Sequence, residues 1–371
     1  MQTTIQPMKD RAGLGSWLQA NAPLLGAFIA LLALPFVVAI LDGQPIGDML
    51  ASQTGSAKFV QGLFIEIFIL AIYAISYDLI LGVTGLLSFG HAMFFAAGAY
   101  GTGIALKNLE LGIAGTLLVA VVLVGIVQAL LFAVVLPRVK GITFALVTLG
   151  LASVFHIIVQ SNELSEFTGA DVGLQGVISP DFLNTNTERF RLYLIALLLT
   201  FAIYFIYRRF VDSPTGRVAT AIRENEDRAL MLGYNTFYFK LVVLLVASLT
   251  AALAGFLHTI HQPIVSPNVA SLGWTVVALL IILIGGVGTL TGALVGAGVF
   301  RLLEFFLDRW FGESASFLLG AVYVALVLFV PYGIVGTWRV RALEIRSGRQ
   351  RLLRLLGLGE PEREAEPAEE G

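Results

Sequence analysis

Apolar runs as long as the hydrocarbon layer of a bilayer is thick recur along this chain, and they constrain it more than any other feature. A helix of roughly 20 apolar residues crosses that layer. Backbone N–H and C=O groups inside it find no water, so a crossing segment must bond them internally, as a helix does. Runs of this kind occupy residues 24–41, 59–81, 86–106, 112–136, 142–160, 191–210, 237–260, 272–286, 290–307 and 317–335. They predict an all-α fold, a polytopic transmembrane helical bundle of about ten spans. Gly285, Gly286 and Gly288 could instead end two half-spans at the eighth and ninth runs. With 57 % hydrophobic and 13 % charged residues, the chain cannot clothe a core of this size in a polar shell, which excludes an ordinary soluble protein.

The polar segments sort by charge. Residues 1–23 read as an N-terminal tail bearing Lys9 and Arg11, 24–338 as the membrane domain and 339–371 as a C-terminal tail. The first run is followed by Asp42-Gly-Gln-Pro rather than a small-x-small cleavage pattern, so it is expected to be retained as a span. With the first end inside, the N-terminal tail, Arg138 and Lys140, the segment 211–236 and the C-terminal tail share one side. The other side receives Lys58, Lys107, Arg189, Arg191 and Arg309. This bias puts both termini in the cytoplasm and the loop 161–189 outside. Arginines and leucines between Arg339 and Leu356 suggest a short amphipathic helix on an anionic leaflet, and from Glu360 the composition is that of a disordered tail.

Several chemistries are excluded. The chain has no cysteine, which removes disulfides, thiolate catalysis and cysteine-ligated metals. None of its five lysines follows a glycine, so a phosphate-binding Gly-Lys-Ser/Thr loop cannot exist and a P-loop ATPase is ruled out. His258 and His261 stand without neighbouring carboxylates, whereas membrane metal sites gather three or four ligands. No metal, cofactor or nucleic-acid partner is expected, and no catalytic cluster is found. Glu66, Asp78 and His91 fall at or near membrane depth, where an ionisable group faces a bundle interior or an aqueous path. Arg301 and Glu304, three apart on the ninth run, are expected to pair.

Two glycine-threaded segments lie in opposite halves of the chain. The first holds Gly82, Gly85, Gly90, Gly98, Gly101 and Gly103, with His91 among them; the second holds Gly285, Gly286, Gly288, Gly292, Gly296 and Gly298. Small residues let helix backbones approach closely in lipid. Glycine-interrupted segments in corresponding places also point to a transport path between two halves. Helix packing and a path with Gly82, Gly85, Gly90, His91, Gly98, Gly285, Gly286, Gly288 and Gly292 on its wall are both open on spacing alone.

The segment 213–233 is the longest charged stretch between long apolar runs, with Arg217, Arg223, Glu224, Asn225, Glu226, Asp227 and Arg228. Pro214 suits a first helical turn and Gly233 the left-handed residue that ends a helix. Val218, Ile222, Ala229 and Leu232 recur near helical spacing, which gives one apolar face. An ordinary solvated loop and a helix that docks a soluble partner both satisfy this pattern.

Five blocks in order narrow the choice. Residues 82–100, Gly141-Ile-Thr-Phe-Ala-Leu-Val-Thr-Leu-Gly150, Gly216 to Glu226, Ala254-Gly255 with Ser266-Pro267, and Gly285 to Gly292 resemble the permease subunits of branched-chain amino acid ABC importers, in the LivM-like member of the pair. The resemblance covers about residues 60–338. It departs from the family pattern at Arg228-Ala229, where Ala-Ala is usual, and at Ala170, where a glycine is usual. It implies an inner-membrane permease in a bacterial cell, with a second permease subunit in a heterodimer, two ATPase subunits and a periplasmic binding protein. A docking helix of about 217–233 would then couple to the ATPases. Arg217, Arg223, Glu224, Asn225 and Glu226 would supply polar contacts, Gly216 and Gly233 the helix ends, and Ile222 and Leu232 the seat. Urea or a short amide is an alternative substrate, and an ion-coupled carrier using Glu66 and Asp78 is the rival mechanism.

Overall fold

The computed structural model describes residues 14–338 apart from positions 54 and 110. The first part of the expected N-terminal tail and all of 339–371, with its expected amphipathic helix and acidic tail, lie outside the described residues. Helices α1 (Leu14–Leu41), α2 (Ser56–Asp78), α3 (His91–Lys107), α4 (Ile113–Val135), α5 (Ile142–Gln160) and α6 (Arg189–Asp212) form the first half. Two short helices follow, α7 (Pro214–Glu224) and α8 (Glu226–Met231). The second half contains α9 (Thr236–His261), α10 (Leu272–Gly285), α11 (Thr291–Phe311) and α12 (Ala315–Phe329). Among the described residues the all-α expectation holds. The one extended pairing is an isolated bridge between Leu174 and Val265.

The span count differs from the sequence expectation. Seven helical stretches among the described residues are long and apolar enough to cross a membrane, rather than about ten. The chain leaves the helix over 85–90, so α3 has only 17 residues, and α10 has 14. At 1.5 Å per residue these reach roughly 25 and 21 Å, short of the ~30 Å hydrocarbon layer. The ninth and tenth expected runs lie within one apolar stretch of 48 residues, Thr291–Trp338. Glycine breaks and short helices, invisible to hydropathy, account for the difference.

α2, α3 and α9 form the centre of the bundle. Of α2's most apolar stretch 83 % is buried, against 11 % of α1's. α3 and α9 cross on small residues: a Cβ on Gly98 would lie 2.5 Å from Ala252 Cα, and one on Gly255 would lie 2.7 Å from the Ala99 nitrogen. Thr259 Oγ1 donates to the Ala99 carbonyl across the same contact at 3.0 Å. With no water to drive helices together in lipid, such close backbone approach and interhelical hydrogen bonds do the holding.

Contacts define two ends. Arg208, at the end of α6, bonds Asn21 near the start of α1, and Lys140 lies 3.8 Å from Asp227 beside α8. Among the described residues, Asn21, the turn at Lys140 and the segment 211–236 thus share one end. At the other, Lys107 donates to the Gln175 carbonyl and Lys58 to that of Asn186.

Candidate functional site

α7 is built by local rules. Ser213 caps it, its hydroxyl accepting from the Gly216 N–H at 3.3 Å, and Pro214 occupies the first turn. Gly216, Ala219 and Ile222 fall on its buried face. Gly216 lies inside the first turn rather than ending the helix, so close to the backbone of Val211 that a Cβ would be 2.5 Å from its Cα. The single expected helix is in fact two. Asn225 is extended (φ −162°, ψ 102°) and its side chain accepts from the Arg228 N–H at 2.9 Å, ending α7 and starting α8. Gly233 closes α8 as expected, at φ +85°, a left-handed conformation that favours glycine.

The apolar residues divide between these helices. Ile222 is buried, 4 % exposed, and seats α7. Leu232 does not seat anything: it is 71 % exposed, beside Met231 at 87 %. Beyond the last turn of α8 nothing in the described chain covers them. Arg217, Glu224, Asp227 and Arg228 are also exposed.

The charges divide too. Glu226 turns back on its own chain, accepting from Lys240 Nζ at 2.5 Å and Thr236 Oγ1 at 3.0 Å. Burial would raise its carboxyl, but the hydrogen bond and charge of Lys240, then Thr236 and Lys140, outweigh that and hold it below the usual carboxylate range. Arg223 is exposed as well, but its guanidinium donates to the Gly82 carbonyl.

Arg223 meets both glycine segments at one joint. After α2 the chain makes a π-helical turn, Leu79–Val83, and Gly82 in that turn abuts Gly288: a Cβ on Gly82 would lie 2.6 Å from the Gly288 nitrogen. Gly288 is at φ +76°, and Arg223 Nη1 would be 3.0 Å from a Cβ placed there. Asp78 ties the loop down, its two carboxyl oxygens accepting from Gly288 N–H at 2.6 Å and Leu290 N–H at 3.1 Å. Leu290 itself is left-handed at φ 52°, a strained conformation for a leucine that these bonds hold in place. One arginine on α7 therefore touches the π turn after α2 and the 286–290 loop before α11.

A model of the family described as "Branched-chain amino acid transport system / permease component" matches residues 59–331, a span that includes α7, α8 and both glycine segments. The chain belongs to this family. Among similar proteins, the high-affinity branched-chain amino acid transport system permease protein LivM of Salmonella typhimurium is 28 % identical over 303 residues, 75 % of this chain and 70 % of its own. LivM of Escherichia coli is 27 % identical over 301 residues with the same coverage. Escherichia coli LivH, a permease protein of the same named system, is 25 % identical over 287 residues, 72 % of this chain and 91 % of its own. No solved structure matches. As a member of this family the chain is a multi-pass membrane permease component.

The residues expected on a path are distributed unevenly in this permease. Gly85 and Gly288 are exposed at the Arg223 joint, and Gly288 borders a 740 Å³ cavity shared with Arg208, Leu24 and Trp338. Gly82, Gly90, Gly98, Gly285, Gly286 and Gly292 are buried at packing contacts. Gly285 abuts Gly292 where α10 meets α11, and Gly90 abuts Thr148 of α5. His91 is buried under Tyr73 and Tyr77, its Nε2 2.8 Å from Ser76 Oγ.

Arg301 and Glu304 pair at 2.8 Å as their spacing implied, but Arg301 also binds Glu66, 235 positions away, at 2.5 Å. That partner had no signal in the sequence beyond the presence of a carboxylate inside an apolar run. Lys240, the one lysine in the run 237–260, carried the same kind of signal for Glu226. Among the described residues no group of three or more His, Asp or Glu could hold a metal ion.

Proposed function

We propose that this chain is the membrane-spanning permease subunit of an ABC importer moving branched-chain amino acids across a bacterial inner membrane. Separate ATPase subunits hydrolyse ATP, a periplasmic protein delivers substrate, and a second, unlike permease subunit completes the pair. Relatives under two names, LivM and LivH, support the unlike pair. The sorting of basic segments to the α7–α8 end supports a cytoplasmic location for that end and for both termini.

One observation carries the reading. α7 is seated by Ile222 and joined through Arg223 to both glycine segments, while α8 presents Leu232 and Met231 uncovered. A segment anchored on one side and apolar on the other suits a docking element that passes motion inward. Closure of an ATPase dimer against α8 would push α7, and Arg223 would move the 82–85 and 286–290 breaks together. Glu224 and Arg228 are the charged contacts to the ATPase in this scheme; Glu226 and Arg223 serve the internal linkage. Glu66 and Asp78, which an ion-coupled carrier would need open, are already engaged by Arg301 and by backbone N–H groups.

Co-purification tests the docking. Glu224→Lys places a like or unmatched charge in an interface, and losing one partner of a buried charged pair costs about 2–5 kcal/mol, so ATPase recovery should fall well over tenfold. Normal recovery with Glu224→Lys and with Leu232→Asp would remove the docking assignment. Leucine uptake driven by an ion gradient, with no ATPase present, would install the ion-coupled rival.

A further inference from the structure

Glu66 and Arg301 each stand eleventh in their helices, at the middle of the 23-residue α2 and of the 21-residue α11. The cluster also takes in His261 and Gln262, the last residue of α9 and the one after it, so it lies towards the Lys58–Asn186 end of the bundle. Arg301 Nε and Nη2 both reach one Glu66 oxygen, at 2.6 and 2.5 Å, and Nη1 reaches Glu304 at 2.8 Å. The other Glu66 oxygen accepts from Gln262 Nε2 at 3.0 Å and lies 3.7 Å from His261 Nε2. Two carboxylates face one guanidinium directly, and Arg189 at the start of α6 is the further positive charge acting on Glu66.

The cluster lines a cavity of about 210 Å³, whose other walls are apolar or aromatic: Ile69, Leu70, Trp274, Val277 and Phe300, with His258 at the side. Trp274 Nε1, on that wall, is buried and has no hydrogen-bond partner among the described residues. Arg301 has five N–H donors, of which three are used here. Gln262 is shared with a second, 540 Å³ cavity towards the far end, lined by Thr185, Asn186, Arg189 and His261. His261 is 8 % exposed and its Nδ1 is unpartnered among the described residues.

Arg301 and Glu304 keep 24 % and 35 % of their side chains exposed. Charged groups left partly open within a span are costly against lipid tails and face a bundle interior or an aqueous path. The spare hydrogen-bonding capacity is of both signs, and the wall beside it is apolar.

We propose that this cavity is a binding site for the transported amino acid inside the membrane. The ammonium group would lie against the Glu66 and Glu304 oxygens, the carboxylate against the spare Arg301 N–H donors and Trp274 Nε1, and the apolar side chain against Ile69, Val277 and Phe300. Such a site takes a small zwitterion with an apolar side chain and rejects the same carbon skeleton without its ammonium group. The proposal rests on the amino acid reading above. It moves the recognition step from the glycine segments to an ionic cluster between them.

The absence of cysteine from this chain supplies the test. Val277→Cys, in the assembled importer in vesicles, is labelled with a small thiol reagent and the label read on this chain alone. With free leucine at about ten times its Kd, labelling is expected to slow by about tenfold, since the open fraction falls as 1/(1 + L/Kd), where L is the free leucine concentration. 4-Methylpentanoate, which is leucine without the amino group, is expected to give no protection. Glu66→Gln/Arg301→Gln, introduced together, should abolish protection and uptake while the subunits still co-purify. A merely structural ion pair would instead be rescued by that neutral pair, with uptake restored, and that result overturns the proposal. Equal protection by both ligands, or none by either at Val277→Cys and at Ile69→Cys, overturns it as well; the second position guards against a variant that fails to assemble. Leucine uptake by the unsubstituted importer is measured alongside. Its absence would remove the amino acid reading and this site with it, whereas uptake without protection would remove only the site.

Discussion

Two polar centres lie along α2, and they are built in opposite ways. At the end of the helix, Asp78 and Arg223 bond to backbone: Gly288 and Leu290 N–H groups and the Gly82 carbonyl. At its middle, Glu66, Arg301 and Glu304 bond to each other's side chains and border a cavity. A side chain bonded to backbone fixes where a chain segment sits, so the first centre transmits position. A side-chain network beside a cavity can exchange partners with a ligand, so the second centre reads charge. In the proposed scheme the same helix carries a mechanical joint and a recognition cluster about 12 positions apart.

The sharpest way to break this contrast is to remove Asp78. Its carboxyl is fully buried and satisfies two backbone donors, one of them on a left-handed leucine. Asp78→Ala leaves both unpaired and should lower stability by about 3–5 kcal/mol, read as loss of folded protein in detergent unfolding. Asp78→Asn keeps one acceptor and should lose roughly half as much. A neutral result would mean that the joint does not hold the loop.

At the second centre the expected stability effect is smaller. Replacing a buried ion pair with neutral partners is close to break-even, so Glu66→Gln/Arg301→Gln should change stability by less than about 2 kcal/mol. Unfolding measurements on this pair beside Asp78→Ala would rank the two centres directly; a loss as large as that of Asp78→Ala would make both centres structural.

The smallest effect belongs to Glu226. Glu226→Gln should cost about 1 kcal/mol, since the amide oxygen can still accept from Lys240, whose side chain is 8 % exposed, and from Thr236. Its carboxyl is held below the ordinary value of 4.5, so its contribution is complete above that value and is lost as pH falls through the lowered one. An unfolding midpoint followed from pH 7 into this acid range should converge for wild type and Glu226→Gln. Parallel curves would remove the linkage.

The fold was legible wherever hydropathy or capping decides it. The apolar runs, Pro214 and Gly233 were each placed by rules acting over a few residues, and the family blocks added the overall assignment. The span count was not legible, because whether residues 85–90 continue a helix depends on Gly82 meeting Gly288 some 200 positions later. The break at Asn225 is local and hidden for a different reason: a helical apolar pattern runs through it, and the capping bond to Arg228, three residues on, marks the interruption. The charges of the central segment looked equivalent in sequence. Folding separates them by partner: the side chains of Arg223 and Glu226 bond to Gly82 and to Lys240 and Thr236, while Glu224 and Arg228 are left exposed. Glu66 could be recognised as out of place in an apolar run but not assigned a partner, since Arg301 approaches it only through the packing of α2 on α11.

The central claim is that Arg223 carries motion from the docking helices to the glycine joint. Arg223→Ala in the reconstituted importer tests it most directly, with ATPase recovery, substrate-stimulated ATP hydrolysis and leucine uptake measured together. The account predicts normal ATPase recovery, because the Arg223 guanidinium is bonded to the Gly82 carbonyl, with stimulation lost and uptake reduced by about tenfold or more, the effect of one charged hydrogen bond. Stimulated hydrolysis and uptake at wild-type levels in that variant would contradict it.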